Sequence, residues 1–413
     1  MTFRTIPFLL LFLILSCGCK KNKPNGNSGG DDDLPNLPPV ETRAPNTDYS
    51  PAFAGQTRTH GMKTETALKI NVLTNTLQKP WGITSLPDSN WLITQKEGTM
   101  VVLKPDGTLK ATISGLPAVN AGGQGGLLDV ALDPQFRQNR MVYWTFSDNV
   151  SGGTVTAVAK GRLSESETAI TGTEVIYRAF PAHRGVNHYG GRLAFDRQGY
   201  LFVSTGERYD LSTRPLAQDK STALGKILRI TTNGQPAPGN PFLNDTSAIP
   251  ELYSYGHRNV QGLAFDPGRN ILWEAEMGPM GGDEVNHIVG GRNYGWPVIT
   301  YGLEYSGEKV GEGITQKEGM AQPVYYWDPS ISPSGMIFYN SDYLSEWKGN
   351  LLIGCLSGQH IVRLRVRDGF VIGEERLLES EGQRFRDLAV GPDGKVYAIT
   401  DQGRLYQIQK AEK

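Results

Sequence analysis

The chain has 413 residues, of which only three are cysteine and six histidine. Cys17 and Cys19 sit near the N-terminus, so Cys355 is alone in any region able to fold, and no internal disulfide can staple that region. No CxxCH occurs, which excludes a covalently attached haem and means that the chain cannot relay electrons by itself. No Cys/His cluster has transition-metal spacing, and His183 to His188 is not an exception. Charge of one sign is also missing: 41 Lys and Arg stand against 42 Asp and Glu, which leaves no footprint for nucleic acid. Helical periodicity is almost absent. Long hydrophobic runs are limited to one.

That run lies in MTFRTIPFLLLFLILS, is too short to span a membrane comfortably, and reads as a signal-peptide core over residues 1–16. It ends in Ile14-Leu15-Ser16-Cys17, which resembles a bacterial lipobox with Cys17 as the lipidated residue. Residues 17–64 are rich in Pro, Gly, Asn and Asp with little to bury, so a disordered tether is expected there. The implied location is the bacterial cell envelope, periplasmic or outer-membrane surface, with the folded part held at a membrane by a lipid.

What is present from residue 65 to 411 is a repeat. An apolar run, a turn with Asp, Pro, Asn or Gly, and a second apolar run recur six times, starting at Ile83, Leu127, Leu193, Leu263, Ser334 and Leu388. Turn chemistry and alternation make each an antiparallel hairpin. Most are followed by a further strand-like run, such as KILRITTNG or HIVRLRVRDG. Six such hairpins with little helix predict an all-β fold, a six-bladed β-propeller of four-stranded blades. The stretch Lys69 to Leu73 then supplies the outer strand closing the last blade. A β-sandwich is the alternative, and the regular recurrence of one motif speaks against it.

Five polar clusters, most of them Gly-rich, lie at Asn120–Leu128, Asn187–Asp196, Tyr255–Gly262, Glu276–Asn286 and Arg384–Asp387, and four of the five immediately precede one of these hairpins. In a propeller the first strand of a blade lines the central channel, so these residues converge on one mouth. His188 is suited to general-base work near neutral pH. Arg258, Arg384 and Arg386 suit a polycarboxylate ligand, because each guanidinium is a fork matching carboxylate geometry. Gly278, Gly281 and Gly282 expose backbone carbonyls beside Asp283 and Glu284, and oxygen-only ligation suits Ca²⁺ better than zinc. His257, followed by Arg-Asn at a turn, reads as a structural histidine.

Taken in order, GQGGLL (123–128), HYGGRLAFD (188–196), SYGHRNVQGLAFDP (254–267), GPMGGDEVN (278–286), NYGWP (293–297) and RFRD (384–387) resemble the soluble sugar dehydrogenases that use pyrroloquinoline quinone, the glucose/sorbosone dehydrogenase family. The resemblance implies oxidation of an aldose at C1 to the lactone, with hydride passing to the quinone and electrons leaving to an external acceptor. It implies that His188 is the base, that Arg258 lies near the reactive carbonyl, and that Asn259, Arg384 and Arg386 bind the quinone. Gln124 would contact the sugar. Gly278 and Pro279 would hold the calcium that polarises the quinone, and Asp283, Glu284 and Tyr294 (through its backbone) a second, structural calcium. Trp327, in YYWDPSISPS, would be a lid stacking on the quinone. Ser357 stands where the family usually has a quinone-contacting Lys, and Asn187 stands where some members have an Asp before the base. Two other readings stay open: a non-catalytic propeller lipoprotein binding a carbohydrate or a protein, and a Ca²⁺-dependent lactone hydrolase.

Overall fold

A computed structural model describes residues 37–412, and the apolar run, Cys17 and the first part of the tether lie outside them. Twenty-four strands form six separate four-stranded antiparallel sheets, which rules out the sandwich. Among the described residues the helical content is one four-residue helix, Phe136–Asn139, and three short 3₁₀ turns. None is long and apolar enough to cross a membrane.

The innermost strands are Pro80–Ser85, Leu127–Leu132, Gly190–Phe195, Val260–Asp266, Pro333–Phe338 and Phe385–Val390, which we number as blades one to six. Each starts at or within a few residues of one of the six recurring motifs. The ring closes as expected, with Leu68–Thr74 pairing antiparallel to Leu405–Lys410 as the outer strand of blade six. That pairing ties the start of the propeller to its end.

Blades hold together through apolar side chains alternating between sheet faces. Trp144, Phe146, Leu92 and Met100 are fully buried between blades one and two, and Trp273, Ile353 and Val362 between blades four and five. Replacing one such Trp by Ala costs about 3–5 kcal/mol. The flat face-to-face stacking leaves the short channel strands free to present loop residues at one end.

Residues 37–64 depart from the tether expectation. They run along the outer strands of blades four and five with defined hydrogen bonds, because several of their polar groups find buried partners there. Gln56 is fully buried and donates to the Pro323 carbonyl, while its own carbonyl accepts from Tyr326 N. A composition poor in apolar residues predicted disorder, but polar contacts with distant residues, joined by buried Met62, supply the order instead.

Candidate functional site

All six blades contribute to one cavity of about 790 Å³ at the mouth of the channel. Of the site residues read from sequence, Gln124, His188, Arg258, Asn259, Gly278, Pro279, Asp283, Ser357, Arg384 and Arg386 line it. Trp327, Glu284 and Tyr294 do not.

His188 is built into a tight turn. Its own φ is +46°, and Gly190 and Gly191 follow at +64° and +98°. A Cβ on Gly190 would lie 2.6 Å from Thr205 Cα, so the chain needs glycine to pass beneath the imidazole. Gln124 Oε1 accepts a 2.8 Å hydrogen bond from His188 N and fixes the turn. His188 Nδ1 lies 2.8 Å from Glu207 Oε1, inside a nearly closed pocket. Glu207 therefore sets the tautomer, and Nε2 is left as the nitrogen that can accept a proton. Burial, reinforced by the Arg258 charge and opposed by Glu207, pushes the imidazole down to about 4. Asn187 meets Arg208 Nε through its backbone carbonyl, and the carboxylate that faces the imidazole is that of Glu207. The sequence reading missed Glu207, whose only trace is its place at the end of the hairpin, in FVSTGE.

The rest of the cavity wall is rich in cations. Arg258 is buried and donates through Nη1 to the carbonyls of Met277 (2.9 Å) and Gly278 (2.6 Å). Arg384 and Arg386 share Asp401, at 2.9 and 2.8 Å. Burial would raise the Asp401 carboxyl, but these ion pairs hold it below its ordinary value. Lys79 and Lys96 also line the cavity, and Lys96 donates to the Ala121 carbonyl. Burial and nearby cations lower the Lys96 amine. Asp401, Lys79 and Lys96 were all unrecognised in the sequence. The two lysines place positive charge in the same cavity as Ser357, whose hydroxyl is 2.8 Å from that of Ser332. Asn259 is buried, and its Oδ1 accepts from Gly190 N, which ties blade four to the base's turn.

The calcium ligands divide differently from expectation. Gly278 and Pro279 line the cavity and offer the oxygen donors a hard cation takes, but their carbonyls already accept from Arg258 Nη1 (2.6 Å) and Ser330 Oγ (3.1 Å), so a cation there shares the Gly278 oxygen with a guanidinium. Asp283 is no metal ligand partner of Glu284. Successive residues of a strand point to opposite faces, and the Asp283 carboxylate accepts from Gly278 N, Ile331 N and Ser332 N, each at 2.7 Å. Burial raises this carboxyl to about 7. Glu284 faces a small void with Glu276 and Tyr294, beside Glu274 and His257. Glu274 Oε2 is buried without a hydrogen-bond partner, and burial together with the Glu276 charge pushes Glu274 and Glu284 well above the usual carboxylate range. These carboxylates also fit a hard cation. His257 is structural as read, bonded to Ser254 and Glu276 and stacked on Tyr294.

Trp327 is not a lid. It is buried in the core between blades four and five, edge-on to Tyr325, with its indole N–H donating to Glu374. The loop that follows it, Pro329 to Ser332, is what reaches the cavity.

Known proteins resemble this chain in sequence and in fold. Residues 77–407 match the family described as Glucose / Sorbosone dehydrogenase. The chain is 42% identical to the aldose sugar dehydrogenase YliI of Escherichia coli K12, over 83% of this chain and 92% of that protein. It is 25% identical to quinoprotein glucose dehydrogenase B of Acinetobacter calcoaceticus, over 80% and 84%. The solved structure of the PQQ-bound aldose sugar dehydrogenase of Streptomyces coelicolor is similar with a TM-score of 0.69 and 30% identity, covering 84% of this chain and 99% of that one.

Proposed function

The chain belongs to the glucose/sorbosone dehydrogenase family, and from that premise we propose that it oxidises an aldose at C1 to the lactone, using pyrroloquinoline quinone and calcium. The observation carrying this reading is the His188–Glu207 pair in a cavity whose other walls hold Arg258, Arg384, Arg386, Lys79 and Lys96. A neutral imidazole with Nε2 free is a base, and a cluster of cations suits a small polycarboxylate.

When bound, a quinone would supply the acceptor for the hydride from C1, and the Gly278 and Pro279 carbonyls would be the groups to hold a calcium beside it. His188 Nε2 takes the proton of the C1 hydroxyl. Glu207 stabilises the imidazolium that forms and keeps the ring from rotating. Arg258 holds a fixed, desolvated positive charge where an oxygen gains electron density. Arg384 and Arg386, oriented by Asp401, grip carboxylates, and Lys79 and Lys96 add the charge that Ser357 lacks. Gln124 fixes the turn of the base and borders the sugar. The lactone-hydrolase reading fits less well, because this rim is dominated by cations. The residues carry no haem motif, so electrons leave to an external acceptor.

The test is direct. Purified apoprotein given quinone and Ca²⁺ should reduce a dye with a panel of aldoses; no reduction and no calorimetric quinone binding overturns the reading. His188→Gln should abolish turnover and leave quinone affinity nearly unchanged. We further place the protein at the cell envelope, lipidated at Cys17, on the strength of the apolar run ending in Ile-Leu-Ser-Cys. Cys17→Ser should move it from the membrane to the soluble fraction.

A further inference from the structure

Residues 37–64 lie outside the stretch 77–407 that the family matches, yet they reach the cavity. Asn46 is part of its wall. The Asp328 carboxylate, nearly fully buried, accepts four hydrogen bonds from this segment. Its Oδ1 takes Asn46 N (2.9 Å) and Asn46 Nδ2 (2.8 Å), and its Oδ2 takes Thr47 N and Thr47 Oγ1 (2.9 Å each). Arg58 adds a bond to the Asp328 carbonyl at 2.8 Å. The segment is anchored behind this point. Glu41 pairs with Arg376 on the outer strand of blade five at 2.8 Å, and Met62 N and the His60 carbonyl both bond to the backbone of Glu374.

The grip does not end at Asp328. The next residues form an irregular loop that is tied, bond by bond, to the Gly278–Asp283 loop. Ser330 Oγ accepts from Gly281 N (2.8 Å) and donates to the Pro279 carbonyl (3.1 Å). Ile331 N and Ser332 N bond to Asp283, whose other oxygen holds Gly278 N. Asp328 Oδ1 also sits where a Cβ on Gly281 would be only 2.7 Å away, so the two loops are in close contact at this point. Irregular loops with few apolar contacts are the first parts of a fold to open. A buried carboxylate stripped of its donors is costly and would push the loop outward.

We propose that residues 37–62 are a strap that positions the loop pair 278–283 and 328–332, with Asn46 and Thr47 as positioning residues acting through Asp328. The carbonyls of Gly278 and Pro279 are thereby presented to the cavity in one arrangement. The segment that looked like the end of a tether is then a working wall of the site. This inference rests on the cavity being the site described above.

The test compares Asn46→Ala/Thr47→Val, Asp328→Asn and the conservative Thr47→Ser with the wild type, all as full chains. Amide exchange is followed on apoprotein, and quinone affinity is measured by calorimetry with Ca²⁺ present. The first two variants should exchange about tenfold faster in residues 278–283 and 328–332, with the inner strand 333–338 unchanged. Their quinone affinity should fall about five- to tenfold, and Thr47→Ser should match the wild type. Unchanged exchange in both loops, or acceleration spread evenly over blade five, overturns the strap, as does unchanged affinity in a wild type that binds. If the wild type binds no quinone, the dehydrogenase reading falls, and the exchange comparison alone decides the strap.

Discussion

His188 stands in a backbone conformation that a non-glycine residue adopts at a cost of about 1–3 kcal/mol. The surroundings hold it there from three sides: Gln124 at its N–H, Glu207 at Nδ1, and Tyr209, whose ring centroid is 4.8 Å from the imidazole. Glu207→Gln keeps a hydrogen-bond acceptor for Nδ1 but removes the charge that favours the imidazolium. It should lower kcat/KM by about 10²–10⁴-fold with little change in quinone affinity, read by steady-state kinetics and calorimetry. The pH dependence has a definite sign. The folded value of about 4 is below the ordinary 6.5, so the base is neutral and active well into the acid range. The acid limb of kcat/KM should fall near pH 4 rather than 6.5. The neutral, buried imidazole contributes its stability above pH 6.5, and that contribution is lost as pH falls toward 4. His188 was legible in the sequence as a candidate base less from its neighbours than from its place at one of six equivalent strand entries, facing three arginines. Its partner was not, because Glu207 is nineteen residues away and meets His188 only once the hairpin closes.

The same contact recurs from blade to blade. A residue just before or at the start of the inner strand meets an acid at the end of the second strand in Lys79–Glu97, His188–Glu207, His257–Glu276 and Arg384–Asp401. The hairpin imposes this pairing, and the residue types decide whether it yields a base, a structural histidine or a carboxylate grip. Blades two and five break the pattern, the first with the Gly126 N–H on Ser147 and the second with Ser332 and Ser357, two hydroxyls and no charge. Ser357→Lys adds a cation to the cavity wall and should tighten quinone binding about three- to tenfold by calorimetry; no change would show that Lys79 and Lys96 already meet the need. The six hairpins were readable because strand alternation and turn residues are local signals. Trp327 was misplaced for a related reason: the sequence places it beside a loop, but the inward phase of its strand buries it against Tyr325 and Glu374. Residues 37–64 were unreadable because their partners, such as Asp328 for Asn46, lie 282 positions away.

At the scale of the whole molecule, five of the six blades meet on Arg192, and blade five joins them through the Arg386 carbonyl. Its Nη1 lies 3.2 Å from Asp129 of blade two and 3.0 Å from Asp387 of blade six, and its Nε donates to the Gln261 carbonyl of blade four. Its guanidinium sits 4.1 Å above the Trp81 ring of blade one, and its Nη2 donates to the Arg386 carbonyl, which also accepts from Ser334 of blade five. One side chain thus joins the channel strands and the backbone of Arg386 in the cavity wall at once. Arg192→Met should lower unfolding free energy by about 3–5 kcal/mol, measured by denaturant titration, because it strands two buried carboxylates. Adding Asp129→Asn and Asp387→Asn should recover part of that loss, since the stranded charge is then gone; a triple variant no more stable than the single one would sink this account. The pH dependence points the same way. Burial, despite the opposing pull of Arg192, already raises the Asp387 carboxyl to about 6, above its ordinary value. A group raised in the fold contributes stability at low pH and loses it as pH climbs through the folded value. Without Arg192 that value rises further, so Arg192→Met should be least damaging near pH 5 and most damaging near pH 8.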